Sequence, residues 1–537
     1  MRIVFAAVFF CVAGAAQVSA PLVGWLPETG AIRPIIGLPG AAFLGDPLRV
    51  GQALANAAVS PKQDYILATS AETRQVLRIA PNGSSAALDV PLNPDQIVIS
   101  PGGSSAAIFY SETGAVEILS GLPDAPAARA VAVNFSPRAL AVSDDGQWIA
   151  AASPDGVFAW DANGGSRLVY SGNDAAAVAF SAQSSSLLIA TPEQLLLISD
   201  PGGATGASVL AQGNFAPAGL SASPDRIVLA NKNGTLYSID SGGTAAFDCQ
   251  CRPGGVFALG HDVFRLTTAS AGPVMLFDAA AGAIFAVPRA GITPKRAMRP
   301  AQTGGAALPA LTINLSPFPN GYLQQPSMTV SASAAYSSDI TGTVTLIFAS
   351  SVGGSDSTIQ FSTGGTTVNF TIPAGSTQAN FSGAPSVKLS TGTVAGTTTL
   401  TAAITAPQSV ASAAVQSFTT TPTPPFISNV SFTTTPGAVT VVITGFSSTR
   451  DVASAVFNFA PSSNATINES NNMSNPNLSV STSPQFEAWF NSTTSYATGS
   501  EFTLTVPFSV SGNSADIVAV TVTLINSKGA STPVSPK

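Results

Sequence analysis

Between residues 55 and 290 the chain repeats one grammar six times: an apolar alternating run, a small polar turn, then a second β-like run. The turns begin at Ser60 (SPKQD), Ser100 (SPGG), Ser143 (SDDG), Ser181 (SAQSS), Ser223 (SPDR) and, in degenerate form, Gly260 (GHDV), in steps of 40, 43, 38, 42 and 37 residues. A unit this short cannot bury its apolar face alone, so each repeat must stack on its neighbours. In the third repeat four short runs stand out, at 139–142, 148–151, 156–160 and 166–170, each alternating or β-branched and bounded by Gly, Asp, Asn or Pro. The fifth repeat has runs at 219–222, 227–230 and 235–239, the last two joined through Asn233 and Gly234, a strong hairpin dipeptide. A helical solenoid of similar period would need amphipathic runs of about ten or more residues, and the region has none.

Four strands in a period of roughly 40 to 45 residues make the blade of a β-propeller. The strings AVSDDGQWIAAASPDGVFAWDANGG and LSASPDRIVLANKNGTLYSIDSGG resemble blades of the WD40-like and YVTN-type propellers of exported bacterial proteins, and the resemblance covers about 270 residues. It implies a fold rather than one activity: such propellers bind proteins, peptides, glycans or small molecules, and a minority are lyases or hydrolases. The regular Gly-His and Trp-Asp pairs of eukaryotic WD40 repeats are missing, Trp160-Asp161 matching the second pair once. Residues 22–38 (LVGWLPETGAIRPIIGL) resemble the outer half of a blade, as in VMLFDAAAGAIFAV at 274–287, and imply that the amino terminus helps close the ring. Six and seven blades both fit. The propeller is placed at 21–290, and residues 291–308 read as linker.

From residue 309 onward the composition shifts, with eleven charged residues in the final 229. Runs such as GTVTLIFA, TTVNFTIPA and TVAGTTTLTAAI alternate apolar and hydroxyl residues at period two, the mark of half-buried antiparallel strands. The cluster Thr419 to Pro425 (TTTPTPP) reads as a semi-rigid connector between two units, 309–424 and 425–537. Roughly seven strands in about 110 residues each is the expectation for an immunoglobulin-like sandwich. The first unit resembles the Ig-like modules of large bacterial surface and secreted proteins. Neither unit contains cysteine, so core packing must hold them, with Phe348, Phe361, Phe370, Phe426, Phe457, Phe459, Trp489 and Phe502 as the expected core. The expected fold class is all-β: a six- or seven-bladed β-propeller followed by two Ig-like β-sandwich domains.

Residues 1–20 read as a signal peptide: Met1 and Arg2, an apolar run from Ile3 to Ala13, then small residues, with cleavage after Ala16 or Ala20. Pro21 beside the second site favours Ala16. Cys11 follows Phe9 and Phe10, not the small residues of a lipid-attachment site. The run is shorter than the roughly 20 residues that span a bilayer, and no later segment reaches that length without polar interruption. The expected location is therefore outside the cytoplasm: periplasmic, cell-surface or extracellular. The chain of 537 residues is 45% hydrophobic and 9% charged, with mean hydropathy +0.33, which suits packed cores and not a disordered polyelectrolyte. Its net charge of -7 and lack of a basic run speak against a nucleic-acid partner. Nothing in it signals an oligomeric state.

One histidine and three cysteines leave few groups for acid/base chemistry or for zinc. His261, with Asp262 beside it, would have to serve any His-based catalysis, but it falls at the turn of the sixth repeat and reads as structural. Cys249 and Cys251 form a C-x-C pair for which a local disulfide, two free thiols and a redox pair stay open. Asp144, Asp145, Asp155 and Asp225 could offer oxygens to calcium, yet Asp is the usual turn residue because its side chain bonds the backbone two residues on. No phosphate-binding loop, nucleophile elbow, EF-hand loop or H-E-x-x-H helix occurs. No catalytic, cofactor-binding or metal-ligating residue is assigned. The expected function is non-enzymatic binding, adhesion or scaffolding, with protein or glycan held at a propeller rim and the sandwiches as spacer or added contact surface. The alternative is a propeller lyase or hydrolase acting on a polysaccharide or small lactone through channel carboxylates or a divalent metal.

Overall fold

The computed structural model describes residues 6–12, 16–203, 206–267, 272–289, 308–462, 465–469, 477–511 and 513–536. The chain divides into two compact units, one of Val23–Ile35 with Leu44–Val287, the other of Met1–Leu22, Ile36–Phe43 and Pro288–Lys537.

The first unit repeats one four-stranded antiparallel sheet six times, at 54–87, 96–132, 139–170, 177–212, 217–248 and 257–287, with strands hydrogen-bonded in chain order. A further three-stranded sheet joins Leu22–Glu28, Ala31–Ile36 and Phe43–Leu44. The third repeat has strands Ala139–Val142, Ile149–Ser153, Gly156–Trp160 and Ser166–Tyr170, three of which coincide with the runs read from sequence. Trp148 stays outside its strand because its backbone N–H bonds the Ser143 hydroxyl. Second strands such as Ile66–Ser70, Ser105–Tyr110 and Ile149–Ser153 are buried at every position, so both faces of each sheet are covered. Outer strands such as Gly243–Asp248 are mostly exposed.

Each apolar core in this unit joins one sheet to the next. Trp25 and Ile32 pack with Leu54 and Ile66; Tyr65 and Leu67 with Ala106 and Ile108; Phe109 and Ile118 with Leu140 and Trp160. Ala150 packs with Phe180 and Leu187, Leu195 with Leu229 and Ile239, and Val228 with Phe264 and Phe277. Neighbour-to-neighbour burial of this kind is what the repeat period demands. Polar bonds follow the same path: Tyr65 donates its hydroxyl to the Gly103 carbonyl at 2.9 Å, and Arg78, Arg129 and Arg167 donate to the carbonyls of Pro123, Ala162 and Gly202 in the following sheets. The three-stranded sheet sits between the first and sixth. Trp25 N–H donates to the Gln63 side chain at 2.9 Å, Gln63 donates to the Ala258 carbonyl, and a Cβ at Gly24 would stand 2.8 Å from Leu259 Cδ2.

In the second unit, residues 311–420 form a three-stranded and a four-stranded sheet around one core, in which Ile313 and Val330 of one meet Leu346, Phe370 and Leu400 of the other. Residues 426–530 form a second two-sheet structure, and it includes two short helices, Ser483–Phe490 and Thr493–Ala497, that no periodicity announced. Phe361, Phe370, Phe457, Phe459, Trp489 and Phe502 are buried as expected, and Phe348 is half-buried against the first core. Phe426 is 46% exposed, because it opens a strand at the sheet edge, where its ring packs against that of Phe446. Strand Ala6–Val12, within the stretch read as a leader, runs between Glu501–Ser511 and Ala465–Glu469, and Gln17–Ser19 also pairs with Glu501–Ser511.

The connector is pinned. Tyr322 donates to the Thr421 carbonyl, Thr423 N–H to the Ser448 hydroxyl, and Asn526 to the Thr423 carbonyl. Arg450 donates to the carbonyls of Gly499 and Phe490. The Arg450 bonds brace the second sandwich structure from within, while the connector bonds tie it to the first, and both lie in one compact unit.

Candidate functional site

In a four-stranded meander the first and third turns lie at one rim, while the second turn and the link to the next sheet lie at the other. The repeat turns of the sequence are the first turns, and they form a belt. Asp144 accepts the N–H groups of Gly102 and Gln183 on its two carboxylate oxygens, so one side chain ties the second, third and fourth sheets together. Asp145 turns inward to its own loop, accepting Ser143 Oγ and Gln147 N–H. Asp262 accepts the Ser223 hydroxyl at 2.6 Å and pairs with Arg226, which also meets Asp240 at 2.8 Å. His261 is exposed at φ +49° on the sixth turn, beside Asp262 at φ +57°. Asp225 is exposed on the fifth turn, and Asp155 is exposed on a second turn at the other rim. The sequence-named acids are therefore turn and clamp residues spread over the sheets. Among the described residues no three of His, Cys, Asp and Glu gather in a way that could hold a metal ion.

The innermost strands carry little chemistry. Leu54–Val59, Gln96–Ile99, Ala139–Val142, Ala177–Phe180, Pro217–Ala222 and Phe257–Ala258 contain no titratable side chain.

At the second rim, the link into the fifth sheet, its second turn and the link out of it enclose an open hollow of about 980 Å³. Ala216, Lys232, Asn233, Gln250, Cys251 and Arg252 line it. Its frame is fixed by backbone: Lys232 N–H donates to the Ala216 carbonyl at 2.8 Å, and Cys249 N–H to the Gly234 carbonyl at 2.9 Å. Cys249 and Cys251 are bonded sulfur to sulfur, with Cys249 buried in the core between the fifth and sixth sheets. Gly234 has φ +99°, and a Cβ there would stand 2.7 Å from the Cys251 carbonyl, so the turn needs glycine on both counts. Lys232 and Arg252 are exposed, and among the described residues neither makes an ion pair or side-chain hydrogen bond. The sequence reading named the cysteines but not these cations, whose convergence depends on segments some twenty residues apart.

The second unit holds one conspicuous titratable group. Glu501 is fully buried, and its carboxylate oxygens make no well-formed hydrogen bond. Burial pushes its pKa well above the carboxylate range, a weak approach of the Leu38 N–H opposes this, and Asp356 adds to the rise. Asp356, by contrast, is saturated by the N–H groups of Thr358, Thr393 and Val394.

No protein-family model matches the chain and no curated protein matches it. Among solved structures, a streptogramin B lyase is similar at 14% identity over 45% of this chain and 85% of that one, with a TM-score of 0.35. The β-propeller domain of Cps50 (Swd1) from Myceliophteria thermophila shares 10% identity over 47% and 96%, at 0.32. A chain of a nidogen/laminin complex shares 14% identity over 45% and 97%, at 0.31. These neighbours include β-propeller proteins, and the chain's own sheets, cores and ladders are all-β with a repeated four-stranded unit.

Proposed function

We propose that the protein is an exported, non-enzymatic recognition protein. Its seven sheets close as a seven-bladed propeller that displays a binding rim, and two Ig-like sandwiches form a stiff support. The observation that carries this reading is the unpaired cationic hollow at a backbone-locked rim, set against innermost strands without titratable groups. Gly24 and Trp25, fitted between Gln63 and Leu259, support the seventh blade, with the three-stranded sheet completing the ring. Export would remove residues 1–16 or 1–20, and strand Ala6–Val12 would then belong to the precursor only.

The test is a panel of defined peptides and glycans offered to the immobilised full chain, with product analysis of every well. Saturable retention without turnover supports recognition. Cleavage or elimination of a polysaccharide or lactone would replace this reading with the enzymatic one. Amino-terminal sequencing of the protein from an exporting host tests the leader: an intact Met1 end would refute it.

A further inference from the structure

Lys232 and Arg252 are the only cations lining the hollow, and no acid lines it, in a chain whose net charge is -7. Other cations of this unit are spent on structure: the exposed Arg138 and Arg167 and the half-buried Arg129 donate to backbone carbonyls, and the half-buried Arg226 pairs with two aspartates. Two cations kept out of such bonds, on opposite segments of a backbone fixed by hydrogen bonds, present positive charge to solvent; on binding the side chains lose rotamer freedom but the frame needs no ordering. The planar guanidinium matches a carboxylate through two parallel hydrogen bonds, and the lysine adds a mobile point charge. Gln250 contributes an exposed amide; its backbone N–H is already taken by Asp248.

The hollow is an open trough between two chain links, not an enclosed slot, and its size is that of a site for an extended segment more than for one small anion. No aromatic ring lines it, so it lacks the flat apolar face on which a sugar ring would stack. From these features we infer that the hollow binds an acidic peptide segment of a protein partner, with Arg252 and Lys232 each receiving a carboxylate. This inference rests on the recognition reading above and names its site and its partner chemistry.

The probe is a fluorescent hexaglutamate peptide titrated into the full chain at low ionic strength and followed by anisotropy, beside hexagalacturonate as a carboxylated glycan. The expected result is saturable peptide binding that falls with added salt and weakens about tenfold or more in Lys232→Glu/Arg252→Glu. The charge-keeping variant Lys232→Arg/Arg252→Lys retains binding and shows that loss is not a folding defect. Absent peptide binding, binding unchanged by the double reversal, or binding of hexagalacturonate in its place would each overturn the inference. If panel members still bind the chain in those cases, the recognition reading survives without this site; if nothing binds, both fall.

Discussion

Ser500 and Thr393 exchange two buried hydrogen bonds: Ser500 N–H donates to Thr393 Oγ1 at 2.9 Å, and Ser500 Oγ donates to the Thr393 carbonyl at 2.7 Å. One residue belongs to each sandwich structure, and both lie away from solvent. A reciprocal pair of this kind fixes distance and orientation together, which a single bond does not. Thr393→Val keeps the shape, removes the acceptor and leaves the Ser500 N–H buried without a partner, at a cost of about 1–3 kcal/mol. Denaturant unfolding should show a lower midpoint with an unchanged slope; an unchanged midpoint would mean that the pair does not hold the structures together.

Glu501 makes the same unit sensitive to pH. Its folded-state pKa is raised, so its stabilising contribution is full below the ordinary carboxylate range and is lost as pH rises through the folded value. Oε2 sits 2.7 Å from the place a Cβ on Gly37 would take, so the buried carboxylate occupies space that only glycine leaves open. Glu501→Gln removes the charge that must otherwise be buried. Melting curves between acid and mildly alkaline pH should fall with rising pH in the wild type and flatten in the variant, which is the more stable above neutrality. Parallel curves would refute the buried-carboxylate account.

What could be read from sequence follows from where information is local. The strands of the third repeat were legible because Gly and Asp bracket them, as in Gly156–Trp160. The aromatic core was legible because large apolar side chains have few other places to go, Phe426 being the exception at a sheet edge. Helix Ser483–Phe490 was not, since eight residues give barely two turns of periodicity. The Thr and Ser residues that fuse the sandwiches look like solvent-facing hydroxyls until their partners, such as Ser500 for Thr393, are known. The hollow was invisible for a related reason: Ala216, Lys232 and Arg252 meet only because successive links reach the same rim.

Asp144 and Asp225 occupy equivalent turns in the repeat but differ in what they hold. Asp144 accepts Gly102 and Gln183 N–H from the flanking sheets, while Asp225 is exposed. Asp144→Ala should therefore destabilise by about 2 kcal/mol, the scale of a lost charge-assisted hydrogen bond. Asp225→Ala should stay within about 0.5 kcal/mol of wild type. Chemical unfolding of the two variants side by side checks this, and equal effects would reduce Asp144 to an ordinary turn residue.

The frame of the hollow has two supports that can be removed separately. The Cys249–Cys251 bridge closes a loop of sequence separation 2, so on the chain-entropy relation its reduction costs only about 1.5 kcal/mol. Gly234 acts on the folded backbone instead. Alanine there must adopt φ near +99° and push the Cys251 carbonyl aside, because the gap of 2.7 Å admits no Cβ. The backbone conformation alone costs roughly 1–2 kcal/mol, and displacement of the 249–253 segment adds to it. Gly234→Ala should thus lower the melting temperature more than a reducing agent lowers that of the wild type. Alkylation before and after reduction, read by mass spectrometry, should show two cysteines that become reactive only after reduction. If the thiols react without reductant, or if Gly234→Ala melts with the wild type, the rim is not held in the manner described.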